Sequence, residues 1–348
     1  MVDNRYIIHQ DETLLQALTQ INALGTGPLV LFAVDENGRL KGTLTDGDSR
    51  RALITGTSLI DPVSKVMHRN FNALTEGVDY DVRHLHEQKQ MKMHLVPILD
   101  KDGHINEIIN LERYKTKLPI DAVIMAGGKG ERLRPLTEKT PKPLLKVGNK
   151  CIIDYNVDNL LTNGVEHIYV TVNYLKEQLE EHYLEPRYGI MIETVREPKF
   201  LGTMGAVQFV PRFYHDTILL MNSDLFTNID LEDFYLHFEE NNADMSAVAV
   251  PYSISVPYGI FDIRGQRDIQ GIMEKPTYNY YANAGIYLIR RKMIEKYLPA
   301  DAFYNATDFM EKLIREGRKV IRFPLSGYWI DIGNKQEYQK AIDLVKHL

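Results

Sequence analysis

The apolar run at residues 120–126, IDAVIMA, leads without a break into a glycine-rich string, and this junction constrains the chain more than any other feature. Residues 126–137 read AGGKGERLRPLT and residues 140–143 read TPKP. A buried strand that ends in glycines lets backbone come close to a ligand and present N–H groups to an anion. Ala126, Gly127, Gly128 and Gly130 supply that backbone. Arg132 adds a planar fork of donors suited to phosphate oxygens, and Lys142 adds a compact point charge. Pro141 and Pro143 restrict the chain on both sides of that lysine. The string is not a P-loop, because the Gly-Lys-Ser/Thr ending is absent. Nor is it a dinucleotide fingerprint, since Leu133 stands where GxGxxG needs its third glycine. Gly-x-Gly alone would fit a solvated turn; the whole string after a buried strand points to phosphate binding.

The segments that follow alternate. Residues 153–161 read as a helix that Gly164 is placed to end. Residues 168–172, 190–194 and 217–221 read as strands separated by helical stretches. This alternation predicts an α/β fold with a mostly parallel sheet and helices on both faces. Residues 246–251, 259–263, 269–274 and 284–289 look antiparallel and would extend or flank that sheet. A helix over 335–347 closes the pattern.

Ahead of Pro119 the plan differs. Leu14, Leu15, Leu18 and Ile21 form a helical stripe, followed by an apolar run over 29–34, Asp35-Glu36-Asn37-Gly38, and a strand over 39–45. Val82, Leu85 and His86 mark a second helix, followed by residues 95–99, Asp100-Lys101-Asp102-Gly103 and residues 105–111. The pattern is a tandem repeat of roughly 55 to 60 residues, with turns whose Gly supplies positive φ. The expected division is therefore 1–118 and 119–348.

Composition bounds the function. A formal net charge of −6 over 348 residues argues against a general nucleic-acid binder, which needs a basic face. The single cysteine, Cys151, excludes an intrachain disulfide and a multi-cysteine zinc site. Met1 to Tyr6 lack the apolar stretch of a signal peptide, and no segment approaches the roughly 18 apolar residues of a membrane span. No membrane partner is expected, and the cytoplasm is the expected compartment.

The string at 126–143 resembles the GGxGxRLxPLT…PKP signature of the sugar-1-phosphate nucleotidyltransferases, which include mannose-1-phosphate guanylyltransferase and glucose-1-phosphate thymidylyltransferase. The resemblance covers residues 120–348 and implies a Rossmann-like, GT-A-like α/β catalytic domain. It also implies a nucleoside triphosphate and a sugar 1-phosphate as partners, and pyrophosphate and an NDP-sugar as products. Asp224, in Asn222-Ser223-Asp224, and Asp331, in Trp329-Ile330-Asp331-Ile332-Gly333, match the family's N-x-D and W-x-D-x-G aspartates, implied to hold Mg2+. By itself a strand-end aspartate is more often a helix cap than a ligand. Lys275 matches the family's E-K-P lysine, implied to touch the sugar phosphate; alone it would be a surface charge. Tyr258, Gly259, Glu274, Asn283, Ala284 and Trp329 fall on segments that resemble the family's sugar pocket. Residues 197–206, EPKFLGTMGA, resemble the loop against base and ribose, with Gly202, Thr203 and Gly205 allowing close approach. Thr203 serves equally as a helix cap. The L-G-T-x-G string is closest to guanylyl- and uridylyl-transferring members, and GTP is the expected donor.

The stretch Thr43-Leu44-Thr45-Asp46-Gly47-Asp48-Ser49-Arg50-Arg51 resembles the end of a cystathionine-β-synthase-type (CBS) domain, G-x-x-T-x-x-D-x-x-R, on which Gly42, Thr45, Asp48 and Arg51 fall. Residues 1–118 thus resemble a tandem CBS pair, which implies a regulatory adenine nucleotide near Thr45, Asp48 and Arg51. A purely structural or dimerising module is the other reading. The second copy lacks the matching Thr and Asp at residues 107–113, so at most one full site is expected. A CBS pair ahead of this transferase resembles the glucosamine-1-phosphate guanylyltransferases of the legionaminic acid pathway, and a homo-oligomer is expected. A catalytically silent regulatory subunit would have lost charged site residues, yet Arg132, Lys142, Asp224, Lys275 and Asp331 all remain. His84, His86 and His94 lack a partnering ligand set and read as surface or packing histidines. Tyr278, Tyr280 and Tyr281 fit either sugar stacking or rim packing.

Overall fold

In the computed structural model, which describes residues 3–347 apart from 79, 113, 115 and 264–267, the chain divides into units Met1–Lys115 and Thr116–Leu348. The first unit is built twice on one plan. Its first half holds β1 (Ile7–His9), α1 (Leu14–Ala23), β2 (Val30–Val34), β3 (Leu40–Thr45) and α2 (Asp46–Ile54). Its second half holds β4 (Leu74–Thr75), α3 (Val82–Gln90), β5 (Leu95–Leu99) and β6 (Ile105–Asn110). In each half a short strand runs parallel to the middle strand, which forms an antiparallel hairpin with the third. The short leading strands, β1 and β4, had no signature in the hydrophobic pattern.

The hairpins close with the same chemistry. Asp35 Oδ1 accepts from the Asn37 and Arg39 N–H groups at 3.0 and 2.9 Å, and Gly38 takes φ +77°. Asp100 Oδ1 accepts from the Asp102 and His104 N–H groups, both at 2.9 Å, and Gly103 takes φ +90°. The two turns meet, with Leu40 N–H donating to Gly103 O at 2.9 Å. Each half buries its own cluster, and Phe32, Leu40 and Leu95 form a third that draws residues from both. The buried stripe of α1 is Leu14, Ala17 and Ile21. Leu15 is 53% exposed, because one step along a helix turns a side chain about 100° from its neighbour.

The second unit is organised on β7 (Ile120–Met125). After it come β8 (Lys146–Val147), β9 (Lys150–Cys151), α4 (Ile152–Thr162), β10 (His167–Val172), α5 (Lys176–His182), β11 (Ile192–Arg196) and β12 (Thr217–Asn222). Then come β13 (Leu225–Thr227), α6 (Leu231–Glu240), β14 (Met245–Ser255), β15 (Ile260–Ile263), β16 (Ile269–Met273) and β17 (Thr277–Arg290). Helices α7 (Arg291–Tyr297) and α8 (Ala306–Arg315), strands β18 (Val320–Pro324) and β19 (Trp329–Asp331), and helix α9 (Lys335–Val345) complete it. The main sheet has the order β11-β10-β7-β12-β17-β14-β18. Its first four strands are mutually parallel, β17 is antiparallel to both neighbours, and β18 runs parallel to β14. A mixed, largely parallel α/β sheet is thus present.

Ala122, Val123 and Ile124 are all fully buried, so β7 is covered on both faces, as a parallel strand requires. Asp121 in the same strand is also fully buried. Its carboxylate is satisfied by the Tyr214 and His215 N–H groups at 2.6 and 3.1 Å and by His215 Nδ1 at 2.7 Å. Strand β11 begins two residues later than its apolar pattern suggests, because Ile190 closes a turn with Arg187 (2.8 and 2.9 Å). β14 and β17 are longer than their buried halves. Their outer halves and the β15–β16 hairpin form an exposed arm carrying Tyr252, Tyr258, Phe261 and Ile272 at its surface.

Candidate active site

The loop after β7 is tied down at three points. Ala126 N–H donates to Thr171 O at 3.0 Å, continuing the sheet by one step. Gly130 takes φ +62°, and a Cβ there would stand 3.0 Å from both Lys142 Cβ and Thr137 Cγ2, so only glycine fits. Leu133 is fully buried among Leu145, Val147, Ile152, Phe226 and Ile332. The residue that breaks the dinucleotide spacing is therefore the anchor that holds the loop down, and it leaves the adjacent Arg132 exposed. The Arg132 guanidinium lies over Gly333, whose missing Cβ would sit 3.1 Å from Nη2.

Lys142 opens a short 3-10 turn after Pro141 and is only 9% exposed. Its ammonium pairs with the Asp224 carboxylate. Asp224 stands just beyond β12, at the carboxyl edge of the parallel strands, where open α/β sheets hold ligands. The short pair β13–β19 sets Leu225 opposite Asp331, and Ile332 N–H donates to Asp224 O at 3.1 Å. The two aspartates thus share one end of the sheet. Burial, and next the Asp224 carboxylate, push the Asp331 carboxyl above the usual range, against the pull of Lys142 and Arg132. Two carboxylates at the edge of the sheet, Asp224 raising the proton affinity of Asp331, with oxygen donors only, suit a hard divalent cation.

Arg132, Lys142 and Asp224 line a cavity of about 380 Å3 together with Gly127, Gly128 and Gly130. Ala126, Gly202 and Thr203 line it as well. A second cavity of about 260 Å3 is lined by Asn283, Ala284, Trp329 and Asp331 and shares Thr203 and Asn222 with the first. Trp329 Nε1 donates to Ala284 O at 3.0 Å. The Asn283 side chain accepts from Gly285 N–H at 3.0 Å and donates to Tyr287 OH at 2.7 Å. Thr203 Oγ1 accepts from Ala306 N–H at 2.9 Å, so it caps the start of α8 while facing both cavities.

Other residues singled out from the sequence lie elsewhere. Gly205 lines neither cavity; a Cβ there would meet Leu201 Cβ at 2.7 Å and Ala302 O at 2.8 Å, so its smallness serves packing. Tyr258, Gly259, Glu274 and Lys275 sit on the arm, outside both cavities. There the Glu274 carboxylate folds over Gly259, at 2.9 Å from its Cβ position, and Tyr258 is 73% exposed. Tyr278, Tyr280 and Tyr281 are exposed on the same arm, with the Arg322 guanidinium 4.2 Å from the Tyr281 ring centroid. One cavity residue lay in the loop read against base and ribose without being singled out there. Glu197 follows β11 directly, is 5% exposed and lines the larger cavity. A carboxylate at a parallel strand's carboxyl end was the available signal, as for Asp224.

The first unit has a cavity of about 560 Å3, lined from both halves by residues including Pro28, Phe32, Thr45, Phe71, Lys92 and His94. Asp48 and Arg51 do not line it. Asp48 instead closes the capping box of α2, accepting from Thr45 Oγ1 at 2.6 Å, and pairs with Arg51 at 2.6 Å. His84 pairs with Asp81 and His94 with Glu112, at 2.9 and 2.7 Å. Among the described residues no helix is long and apolar enough to cross a membrane.

Residues 121–347 match the family of nucleotidyl transferases. A bifunctional protein GlmU of Methanococcus maripaludis is 32% identical over 230 residues, 64% of this chain and 53% of that one. A mannose-1-phosphate guanyltransferase of Yarrowia lipolytica is 31% identical over 224 residues, 62% of this chain and 61% of that one. The chain therefore spans little more than half of these relatives' length. Among solved structures, HddC from Yersinia pseudotuberculosis superposes with a TM-score of 0.52 at 25% identity, over 65% of this chain and 99% of that one.

Proposed function

Because the chain belongs to the nucleotidyl transferase family, we propose that it transfers a nucleoside monophosphate from a triphosphate, GTP, to a sugar 1-phosphate, releasing pyrophosphate and forming an NDP-sugar. The observation that carries this reading is the meeting of Arg132, Lys142, Asp224 and Asp331 at the glycine-loop edge of the sheet. Names among the relatives support the sugar-phosphate chemistry, and the Yarrowia protein's name supports guanylyl transfer.

The attacking phosphate, with a second pKa of about 6, is anionic at neutral pH, so no side chain need take a proton. The residues must instead hold two repelling anions in line and absorb charge on the leaving pyrophosphate. Arg132 meets the β- and γ-phosphates with its fork. Lys142 exchanges Asp224 for the transferred phosphate. Asp224 and Asp331 are the residues that would hold Mg2+, which when bound supplies charge neutralisation between the phosphates. Asn283, Ala284 and Trp329, with Tyr258, Gly259 and Glu274 of the arm, take the sugar, and Lys275 takes the sugar phosphate.

For the first unit we propose a CBS-type sensing module whose cavity takes an adenine nucleotide beside Thr45, with Asp48 and Arg51 shaping the helix start there. The exposed aromatic arm supports self-association into a homo-oligomer, and the absence of a membrane-crossing helix among the described residues fits a cytoplasmic enzyme. A pyrophosphate-release assay crossing GTP, UTP, ATP and dTTP with glucosamine, N-acetylglucosamine, mannose and glucose 1-phosphates tests the reaction. Release from one GTP pairing is the expected outcome; no release from any pairing would overturn it. Calorimetric titration of AMP, ADP and ATP into the full chain tests the sensing module.

A further inference from the structure

Strands β14 and β17 stay paired from the main sheet out to Ser255 and Thr277. Their neighbours stop early, β18 pairing with β14 only as far as Ala249 and β12 with β17 only as far as Ile286. Beyond these points the two strands form a ribbon with open edges, and residues 251–255 and 277–281 are exposed throughout. Those two stretches read PYSIS and TYNYY and hold no charged side chain, whereas exposed edge strands are commonly blunted by charge. A two-stranded ribbon is marginal in water by itself. This one also presents Tyr252, Tyr280 and Tyr281, and the β15–β16 hairpin adds Phe261 and Ile272. At about 150–250 Å2 for a whole aromatic side chain, the exposed apolar groups of the arm amount to on the order of 1000 Å2, above the roughly 800 Å2 that each partner of a stable interface covers.

The ribbon also carries Lys275 away from its own site. Asn283 and Ala284 line the smaller cavity. Residues 277 to 283 run extended at about 3.3 Å each, so Thr277 stands roughly 20 Å from Asn283. Val256 N–H donates to Pro276 O at 3.0 Å, which continues the ribbon one step further, and Lys275 comes next. That span exceeds the reach of a lysine side chain, so in this arrangement Lys275 cannot serve the cavity of its own chain. We propose that the arm is exchanged between two copies of this chain, Lys275 of each completing the active site of the other. This rests on the reading of Lys275 as the sugar-phosphate residue and adds which copy supplies it. A symmetric exchange closes as a dimer and buries the same surface on both copies. The cavity mouth offers an apolar seat, where Phe200 packs edge-on against Phe303, ring centroids 5.9 Å apart, with both rings exposed.

Mixed dimers test the exchange. Two differently tagged full-length copies, one with Asp224→Asn and one with Lys275→Ala, are co-expressed and purified through both tags. With exchanged arms, one of the two sites joins an intact cavity to an intact Lys275. At limiting sugar 1-phosphate the pair should then release pyrophosphate at about half the wild-type rate, while either variant alone falls on the order of 100-fold or more. Arms that serve their own chain leave no intact site in the pair, so a rate no higher than that of the separate variants would overturn the proposal. Thermal unfolding of each variant confirms that it folds. Crosslinking reads the same contact without turnover. One copy keeps Lys275 and carries Lys129→Arg; the other keeps Lys129, exposed on the glycine loop, and carries Lys275→Arg. An amine-reactive bifunctional reagent should join Lys275 to Lys129 in this pair, a link that only two chains can make, identified by peptide mass spectrometry. A link formed in the wild-type protein but lost in the pair would overturn the exchange, as would a monomer in sedimentation equilibrium at micromolar concentration. The link between chains with no pyrophosphate release from any sugar 1-phosphate would instead sink the transferase reading and leave the exchanged arm standing.

Discussion

Truncating Leu133 to alanine tests whether the phosphate loop is held by a core anchor. Leu133 is fully buried, and its neighbours come from four places: Val147 from β8, Ile152 from α4, Phe226 from β13, and Ile332 just after β19. Such a site collapses poorly, because closing the void would require several separately anchored elements to move together. Leu-to-Ala changes at sites of this kind cost about 3–5 kcal/mol. For a unit of this size each kcal/mol is worth about 2–4 °C, so the unfolding transition of the second unit should fall by about 6–20 °C. Differential scanning calorimetry beside urea unfolding reads the shift. Since Arg132 is the preceding residue, the variant should also bind the triphosphate more weakly at temperatures where it remains folded. Leu133→Gly, which writes the GxGxxG spacing into the chain, should lose about 0.5–1 kcal/mol more. A Leu133→Ala protein that melts within about 3 °C of wild type would refute the anchoring argument, and the loop's position would need another cause.

Arg132→Ala or Asp224→Asn should lower turnover about 10²- to 10³-fold in a protein that still folds, read by pyrophosphate release beside a melting curve. Lys275→Ala should raise KM for the sugar 1-phosphate and leave KM for the triphosphate alone, so equal changes in both would remove Lys275 from the sugar side. Burial and Asp224 raise the Asp331 carboxyl, so as pH falls it takes its proton before exposed aspartates do. Cation-dependent triphosphate binding should therefore weaken at a pH above the ordinary aspartate range of about 4, and Asp331→Asn should bind weakly at every pH without that slope. Asp48→Ala removes the capping box of α2 and should cost the first unit about 1 kcal/mol, measured by urea unfolding.

The sheet was legible where its strands are buried on both faces. Continuous apolar runs such as 120–126 and 217–221 need no partner to be recognised, and their burial follows from their composition. Strands of two or three residues have no period to detect, so β1, β4, β13 and β19 escaped. Leu15 was misassigned for a related reason: three leucines near one another look like a stripe until the 3.6-residue turn fixes which of them face inward. Asp48 shows the limit of motif chemistry. A nucleotide-binding role and a helix-capping role call for the same residue at the same spacing, and the structure pairs its carboxylate with Thr45 and Arg51.

The site divides in the same way between residue identity and residue proximity. Each charged group sits in a short recognisable string, yet nothing within TPKP, NSD or WIDIG states that these strings meet. The sheet brings the first two together, because β7 and β12 are adjacent parallel strands whose carboxyl ends carry the glycine loop and Asp224. Asp331 arrives by a different route. Its place depends on a two-stranded pairing of three residues with three, Leu225–Thr227 against Trp329–Asp331, too small to be stable alone. What holds that pairing is Phe226, buried with Leu133, Ile152 and Ile332. The cluster that fixes the phosphate loop is thus the one that fixes the second carboxylate. Any change that loosens it should disturb triphosphate and cation binding together, and a variant that separated the two effects would show that loop and carboxylate are held independently.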